Sequence, residues 1–418
     1  MKIGVPNELA EGETRVALTP PVAGELIDDG HEVVVAAGAG EGSDWSDEQY
    51  REVGCAIADD RSAVFEQADV VVQVQGLGAA DEDPEQYREG QVVVGLLGPY
   101  ATSEAASETL AERDVSAFAL ELIPRISRAQ SMDALSSMAS LGGYKAAVMA
   151  ADELPKLFPM QMTAAGTVQP ADVFVVGAGV AGLQAIATAE RMGASCRAYD
   201  IRPEVKEEVE SLGADFVELD LETDDASDEE GHAREQDEEF YRKQREMMVE
   251  VVGDSDVVIT TAAVPGGEAP ELVTNEMIDG MDPGSVVVDL AAEGGGNCEP
   301  TVADEVVEYE GVTVFGPTNL PATLAHTASQ LYANNVANFL EMLVEDGELA
   351  IDLEDEIVDA TLLVHDGTVR NPHVDEEGED ADDAEDDDTT GSTEDASEEA
   401  AEADETAPGD DADEEVDA

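Results

Sequence analysis

Residues 172–187 place the tightest constraint on how this 418-residue chain folds. Asp172-Val173-Phe174-Val175-Val176 is an apolar run, Gly177-Ala178-Gly179-Val180-Ala181-Gly182 follows without a gap, and Leu183-Gln184-Ala185-Ile186-Ala187 continues in helical fashion. A strand apolar on both faces belongs in a parallel sheet covered on both sides. The glycines then have separate tasks. Gly177 permits the tight turn, Gly179 lets a pyrophosphate approach the backbone, and Gly182 allows close packing of helix on strand. The helix that opens at Val180 and Ala181 points N–H groups and a positive dipole end at the phosphates. Glycine spacing alone is common; its position between a buried strand and a helix makes this a dinucleotide turn.

Asp200 ends the next strand, Ser195–Tyr199, where an acid accepts hydrogen bonds from ribose hydroxyls. An acid also repels a 2′-phosphate, so NAD(H) is expected over NADP(H). Arg202 works against that preference, because a neighbouring arginine accommodates a 2′-phosphate.

The rest of the chain repeats the α/β theme. Before residue 121, apolar runs at Lys2–Val5, Glu32–Ala36, Val70–Val74, Gln91–Leu97 and Ser116–Leu120 alternate with helical stretches such as Pro21–Asp28 and Ser103–Glu112. Asp133–Leu154 reads as one long helix despite Gly142-Gly143. Helices are expected at Val180–Met192, Pro203–Leu212 and Glu238–Val252, and strands at Val257–Thr260, Ser285–Leu290 and Val312–Phe315. Pro321 is expected to open a last helix to about Val344, burying Leu324, Leu331, Val336, Phe339, Leu340 and Leu343. The expected fold is α/β, with two Rossmann-like parallel-sheet domains joined by long helices. An N-terminal α/β domain covers 1–136 and is completed by 319–372. A Rossmann domain covers 137–318, with a mobile acidic loop at Thr223–Gln236, and an acidic disordered tail covers 373–418.

Charge sets the environment. The chain has 19 Lys+Arg against 99 Asp+Glu, a net of −80. From Asp375 onward there are 24 acids and no base, which leaves 75 acids against 19 bases, or −56, in the first 374 residues. Self-repulsion of that size destabilises a compact state unless concentrated salt screens it, over about 3 Å at 1 M. A halophilic setting is therefore expected. No basic stripe exists to neutralise phosphates, so nucleic-acid binding is disfavoured. Cys55, Cys196 and Cys298 are isolated, as suits reduced thiols in the cytoplasm. The N-terminus lacks a signal-peptide layout and no run of about 18 apolar residues occurs, so direct membrane insertion is not expected. The five histidines show no metal-ligand spacing, and no metal site is expected.

Pro124-Arg125-Ile126-Ser127-Arg128-Ala129-Gln130-Ser131-Met132-Asp133-Ala134-Leu135-Ser136-Ser137 resembles the Arg–Gln–Asp loop of the NAD(H)-binding component, domain I, of proton-translocating transhydrogenases. Gly177–Gln184 with Asp200-Ile201-Arg202 resembles that component's cofactor turn and ribose-binding strand end. Glu239–Gln244, Thr260-Thr261-Ala262 and Glu293–Asn297 resemble its later elements, so the likeness spans residues 1–372. The resemblance implies hydride transfer between NAD(H) here and NADP(H) on a partner subunit, coupled to proton translocation by a membrane-spanning subunit. It implies a homodimer, cytoplasmic and held at the membrane only through those partners. It assigns Arg125 to the nicotinamide carboxamide, Asp133 and Ser136 to the ring and its ribose, and Gln130 to the second nucleotide. Cofactor contacts follow at Gly177, Gly179, Val180, Ala181, Gly182, Asp200, Ile201, Arg202, Gly231, Gln244, Ala262 and Val264. The simpler reading of Ser131 or Asp133 is a cap on the following helix. His232 stands where the family typically has a tyrosine in its mobile loop.

Alanine dehydrogenase is the rival enzyme. Gly4–Glu8 and Arg15–Pro20 resemble both families. Oxidative deamination needs a general acid–base and cations to hold a keto acid. Alanine dehydrogenases carry a lysine in a segment resembling Gln73–Gly76 and a histidine after the next strand. Here Gln75 replaces the lysine, and Gly95-Leu96-Leu97-Gly98-Pro99 has no histidine. A non-catalytic NAD-binding module is the third reading, against which the Arg–Gln–Asp loop argues.

Overall fold

The computed structural model describes residues 1–218, 238–345 and 347–373, with the backbone alone at 238–241. The loop expected at Thr223–Gln236, with Gly231 and His232, and the tail expected to be disordered both lie outside the described residues, apart from the tail's first position, His373.

Two parallel sheets organise the chain. The first takes β1 (Lys2–Val5), β2 (Glu32–Ala36), β3 (Ala56–Ala58), β4 (Val70–Gln75), β5 (Val92–Leu96) and β6 (Ser116–Ala119) from its start. A two-stranded ribbon, β7 (Gln161–Thr163) and β8 (Gly166–Val168), precedes the second sheet. That sheet uses β9 (Asp172–Val176), β10 (Ser195–Tyr199), β11 (Asp215–Phe216), β12 (Val257–Thr260), β13 (Val286–Asp289), β14 (Val306–Tyr309) and β15 (Val312–Phe315). A small ribbon, β16 (Val344–Glu345) and β17 (Glu348–Leu349), leads to β18 (Leu362–His365) and β19 (Thr368–Val369).

The first sheet has the order β19-β18-β6-β5-β4-β1-β2-β3. Its first six strands are parallel, while β18 adds antiparallel to β6 and β19 to β18. The second sheet has the order β11-β10-β9-β12-β13-β15-β14, parallel except for β14. Counted from β9, this is the doubly wound order in which the chain leaves one side of the first strand and returns on the other. Central strands such as Val286–Asp289 are fully buried because helices cover both faces, which is why they read as unbroken apolar runs.

The long helix Ala134–Glu153 joins the two halves. Its Ala134 and Met138 belong to the core under the first sheet, whereas Ala146, Ala147 and Ala150 belong to the core under the second. Its buried positions are almost all Ala and Gly, so it lies close against the helix Val180–Met192. The helix Ala325–Met342 returns to the first core through Ala328, Tyr332, Val336, Phe339 and Leu340.

Two expectations need correction. The final helix does not begin at Pro321. Leu320–Leu324 form a 3-10 turn in which the Thr323 hydroxyl donates to the Leu320 carbonyl at 2.7 Å, and the α-helix starts at Ala325. Leu331 is 38% exposed rather than buried, because the buried stripe runs through Ala328, Tyr332 and Val336 and leaves it at the edge. The strands β7, β8, β14, β18 and β19 were not anticipated. The first three are wholly or largely exposed, so they lack the apolar continuity that marks a central strand.

Candidate functional site

The strand order reverses between β9 and β12, and a cleft of about 300 Å³ opens at their carboxyl ends. Three walls meet there. The first is the glycine turn. Gly177 sits at φ +93°, and a side chain would strike the Thr261 hydroxyl. A Cβ on Gly182 would lie 1.9 Å from the Gly177 carbonyl oxygen, so the helix is pressed onto the turn. Gly179, Val180 and Ala181 face the cleft, and no side chain caps the helix N-terminus. Its first N–H groups and dipole are left to a ligand.

Asp200, Ile201 and Arg202 form the second wall. One Asp200 carboxylate oxygen accepts from the Arg202 amide and Nε, both at 2.9 Å. The other accepts from the Ala178 amide at 2.7 Å and Arg202 Nη2 at 2.8 Å. The carboxylate therefore braces the glycine turn, and its four lone-pair positions are filled. A ribose hydroxyl must share or displace the Arg202 contacts. The paired carboxylate holds the Arg202 guanidinium firmly protonated, its pKa raised by that hydrogen bond and charge. Gln244, from the helix Glu238–Gly253, reaches the same wall, and its Oε1 is buried without a protein partner. Such an orphaned acceptor fits a hydroxyl or amide donor from a bound nucleotide.

The third wall comes from Thr261–Val264 and from the start of the linking helix. Arg125 and Ser136 line the cleft opposite the glycine turn, beside Leu135 and Ala139. Ala262 and Val264 line it on the strand side. Three predicted residues stand elsewhere. Gly182 packs beneath the turn, Gln130 is exposed after the turn Ser127–Ala129, and Asp133 caps the linking helix. Asp133 accepts from the Ser136 amide at 2.8 Å and from its hydroxyl at 2.6 Å, a cap of about 1 kcal/mol. By that contact it orients Ser136 at the cleft wall.

Asp289 and Asn297 are functional positions that sequence reasoning misses, although Glu293–Asn297 stands out as a motif. Both are fully buried. Asn297 treats Ala262 as a strand would, accepting from its amide at 2.9 Å and donating to its carbonyl at 2.8 Å, and it also donates to the Pro270 carbonyl. Asp289 receives Thr260 and Thr301 hydroxyls and the amides of Ala291, Asn297 and Cys298. Together they hold the lip Ala262–Val264 in place. An acid at the end of a buried strand, followed by a glycine-rich segment, was the available signal.

Among the described residues, no histidine, lysine, cysteine or glutamate lines the cleft. None of them forms a cluster that could hold a metal ion, and no described helix is long and apolar enough to cross a membrane. The cleft is equipped to bind and orient, with apolar walls from Leu135, Val180, Pro265 and Leu272 that exclude water.

The strand ends of the first sheet, where the rival enzyme would hold a keto acid, are closed by the protein itself. Glu8 accepts from the Val74 and Gln75 amides at 2.7 and 3.0 Å, and Glu121 from those of Leu97 and Gly98 at 3.1 and 2.7 Å. Arg15, 4% exposed, is held bidentate by Glu13. Burial raises Glu8 to about 8 and Glu121 to about 7, from an ordinary 4.5. The folded chain therefore binds these protons more tightly than the unfolded chain, and their stabilising effect is lost as pH rises from 4.5 through 7 and 8. At fixed high salt, the urea midpoint should fall between about pH 5 and pH 8. A rising midpoint over that interval would contradict it.

Residues 4–142 match the family described as alanine dehydrogenase/PNT, N-terminal domain, and residues 146–372 match its C-terminal domain. The chain is 45% identical over 378 residues to the first section of the NAD(P) transhydrogenase alpha subunit of Rhodospirillum rubrum, a separate protein, covering 89% of this chain and 98% of that one. A crystal structure of transhydrogenase from Sinorhizobium meliloti superposes with a TM-score of 0.76 at 42% identity, covering 89% of this chain and 99% of that one. The alanine dehydrogenase of Mycolicibacterium smegmatis is 29% identical over 374 residues, covering 88% of this chain and 94% of that protein. With both sheets matched, the switch-point cleft in place and near-full-length relatives at this identity, the chain belongs to the alanine dehydrogenase/PNT family.

Proposed function

We propose that this chain is the NAD(H)-binding alpha component of a proton-translocating NAD(P) transhydrogenase. The observation that carries the reading is the pairing of Arg125 and Ser136 with an uncapped glycine-turn helix across one cleft, with no acid–base group between them. The identity to named transhydrogenase subunits, against a lower identity to alanine dehydrogenases, supports the same choice. The closed strand ends of the first sheet, without lysine or histidine, argue against amino-acid deamination.

Bound NAD(H) supplies the hydride chemistry. The chain's own residues position it. The helix N-terminus at Val180 and Ala181 takes the pyrophosphate, and Asp200 with Arg202 takes the adenosine ribose. Gln244 offers its unpaired Oε1, and Arg125 and Ser136 supply the donors that a carboxamide and ribose need. Asp133 acts through Ser136. Gln130, exposed on the same loop, is assigned to the second nucleotide. Positioning and water exclusion carry the rate, since direct transfer asks no proton of the protein.

The NADP(H) site belongs to a partner subunit, and proton movement to a membrane-spanning one; this chain attaches to the membrane through them. Residues 137–318 are taken as the cofactor domain, and 1–136 with 319–372 as its companion. The acid excess suits a salt-rich cytoplasm. The purified chain should bind NADH more tightly than NADPH and show negligible alanine-dependent NAD reduction. Mixed with the NADP(H)-binding subunit, it should exchange hydride between NADH and an oxidised NADP analogue. Gln130→Asn should slow that exchange at least about tenfold while leaving the NADH dissociation constant within about twofold. Strong alanine dehydrogenase activity from the chain alone would sink the assignment, and equal losses in binding and exchange would remove Gln130 from the transfer step.

A homodimer is included in the proposal. The β7–β8 ribbon projects with Met160, Met162 and Val168 54%, 76% and 42% exposed, and a lone two-stranded ribbon is marginal in water. A second copy is the partner that would cover it. Met162→Asp should convert the sedimenting species from dimer to monomer; a monomeric wild-type chain would refute the arrangement.

A further inference from the structure

A second concavity, about 320 Å³, lies on the first half of the molecule, away from the nucleotide cleft. Three of the chain's 19 basic residues, Arg61, Arg88 and Arg113, line it, in a protein with 99 acids. They arrive from three places: the start of the helix Arg61–Gln67, the approach to β5, and the C-cap of the helix Glu104–Glu112. Such convergence is unexpected if scarce bases were spread to offset neighbouring acids.

The way the guanidiniums are held matters more than their number. Arg113 Nε donates to the Tyr87 carbonyl at 2.8 Å, and Arg88 Nη2 to the Ala68 carbonyl at 2.5 Å. Neutral carbonyls fix the orientation of both groups without cancelling their charge. The nearest acid to Arg88 is Asp69 at 3.9 Å, outside hydrogen-bond range, with both side chains about half exposed. Arg61 is different. It is tied to Glu82 and the Asn7 carbonyl and lies over the Phe65 ring at 5.0 Å, but its Nε is buried without a partner. The terminal nitrogens of Arg113, and Nε and Nη1 of Arg88, have no hydrogen-bond partner among the described residues. Ser62 adds a hydroxyl at the same wall. Of the acids among the described residues, only Glu66 brings an uncommitted carboxylate to the lining. Donors with fixed direction therefore outnumber acceptors.

We propose that the Arg61–Arg88–Arg113 groove is an anion site for a phosphoryl ligand, inorganic phosphate or diphosphate, separate from the dinucleotide cleft. Guanidinium forks match the geometry of phosphate oxygens, and several converging forks favour the ligand with more oxygens. A nucleoside gains little, because Phe65 is 4% exposed and already covered by Arg61, leaving no ring face for a base.

The test is calorimetric titration of the full chain with diphosphate, phosphate and ADP at constant potassium chloride. Diphosphate should bind more tightly than phosphate, and ADP no more tightly than diphosphate. Arg88→Gln with Arg113→Gln, both surface changes, should weaken diphosphate binding at least about tenfold and leave NADH affinity within about twofold. Glu66→Gln should tighten diphosphate binding about threefold, a gain that misfolding does not mimic. Diphosphate binding unchanged in the double variant places the anion elsewhere, in the dinucleotide cleft for instance, and overturns the site. An ADP affinity well above that of diphosphate overturns the ligand class.

Discussion

Gly143→Ala should destabilise the protein by about 3 kcal/mol and weaken NADH binding at least about tenfold, whereas its neighbour Gly142→Ala should stabilise it by about 0.5–1 kcal/mol. Both glycines lie inside the helix Ala134–Glu153. A Cβ on Gly142 meets nothing within 4 Å, so alanine brings only its better helical propensity. A Cβ on Gly143 would stand 2.0 Å from the Ala181 carbonyl oxygen, in the first turn of the nucleotide-binding helix. That atom is backbone and cannot swing aside. The linking helix would have to lift off the helix Val180–Met192 and carry Ser136 away from the glycine turn. Urea denaturation and NADH fluorescence titration read the two effects. Shifts of the same sign in both variants would refute the close approach as the reason for Gly143.

The second large effect belongs to Asp289. Its side chain gathers five hydrogen bonds in a fully buried position, two from hydroxyls and three from amides of the segment 291–298. Asp289→Ala strands those donors out of reach of water, and the expected loss is about 3–5 kcal/mol. The change should also loosen Asn297, whose grip on Ala262 and Pro270 shapes the cleft lip. Asn297→Ala isolates that second contribution. It should cost less, about 2 kcal/mol, and appear mainly as weaker NADH binding. An Asp289→Ala protein with an unaltered urea midpoint would show that the hub does not hold the lip.

Much of this arrangement was legible in the chain. The strands Ser195–Tyr199, Val257–Thr260 and Val312–Phe315 and the helix Val180–Met192 match their expected limits residue for residue. They are bounded by glycine, proline or acids and are largely apolar, so their ends are local events. Short pieces were not legible. The strand Asp215–Phe216 has two residues, and the ribbon Gln161–Val168 is exposed on both strands; neither carries a burial pattern. The final helix starts one turn later than its sequence suggests because the 3-10 turn at Leu320–Leu324 uses the same residue types as a helix start.

At the cleft, Gly177, Gly179 and Gly182 were dictated locally, because a strand–turn–helix with a close backbone approach admits little else. Asp200 is different. Its place at a strand end is a local fact, but only the folded chain commits all its acceptor positions to Arg202 and Ala178. Gly143 shows the same division. As sequence it is a flaw in a helix, and its use appears when Ala181, from the following helix, arrives against it. Residue type and spacing settle what short-range sterics and hydrogen bonding can enforce. The Asn297 clamp, the closed strand ends at Glu8 and Glu121 and the meeting of Arg125 with the glycine turn join residues distant in the chain. Those contacts exist only once burial has brought two sheets onto one linking helix.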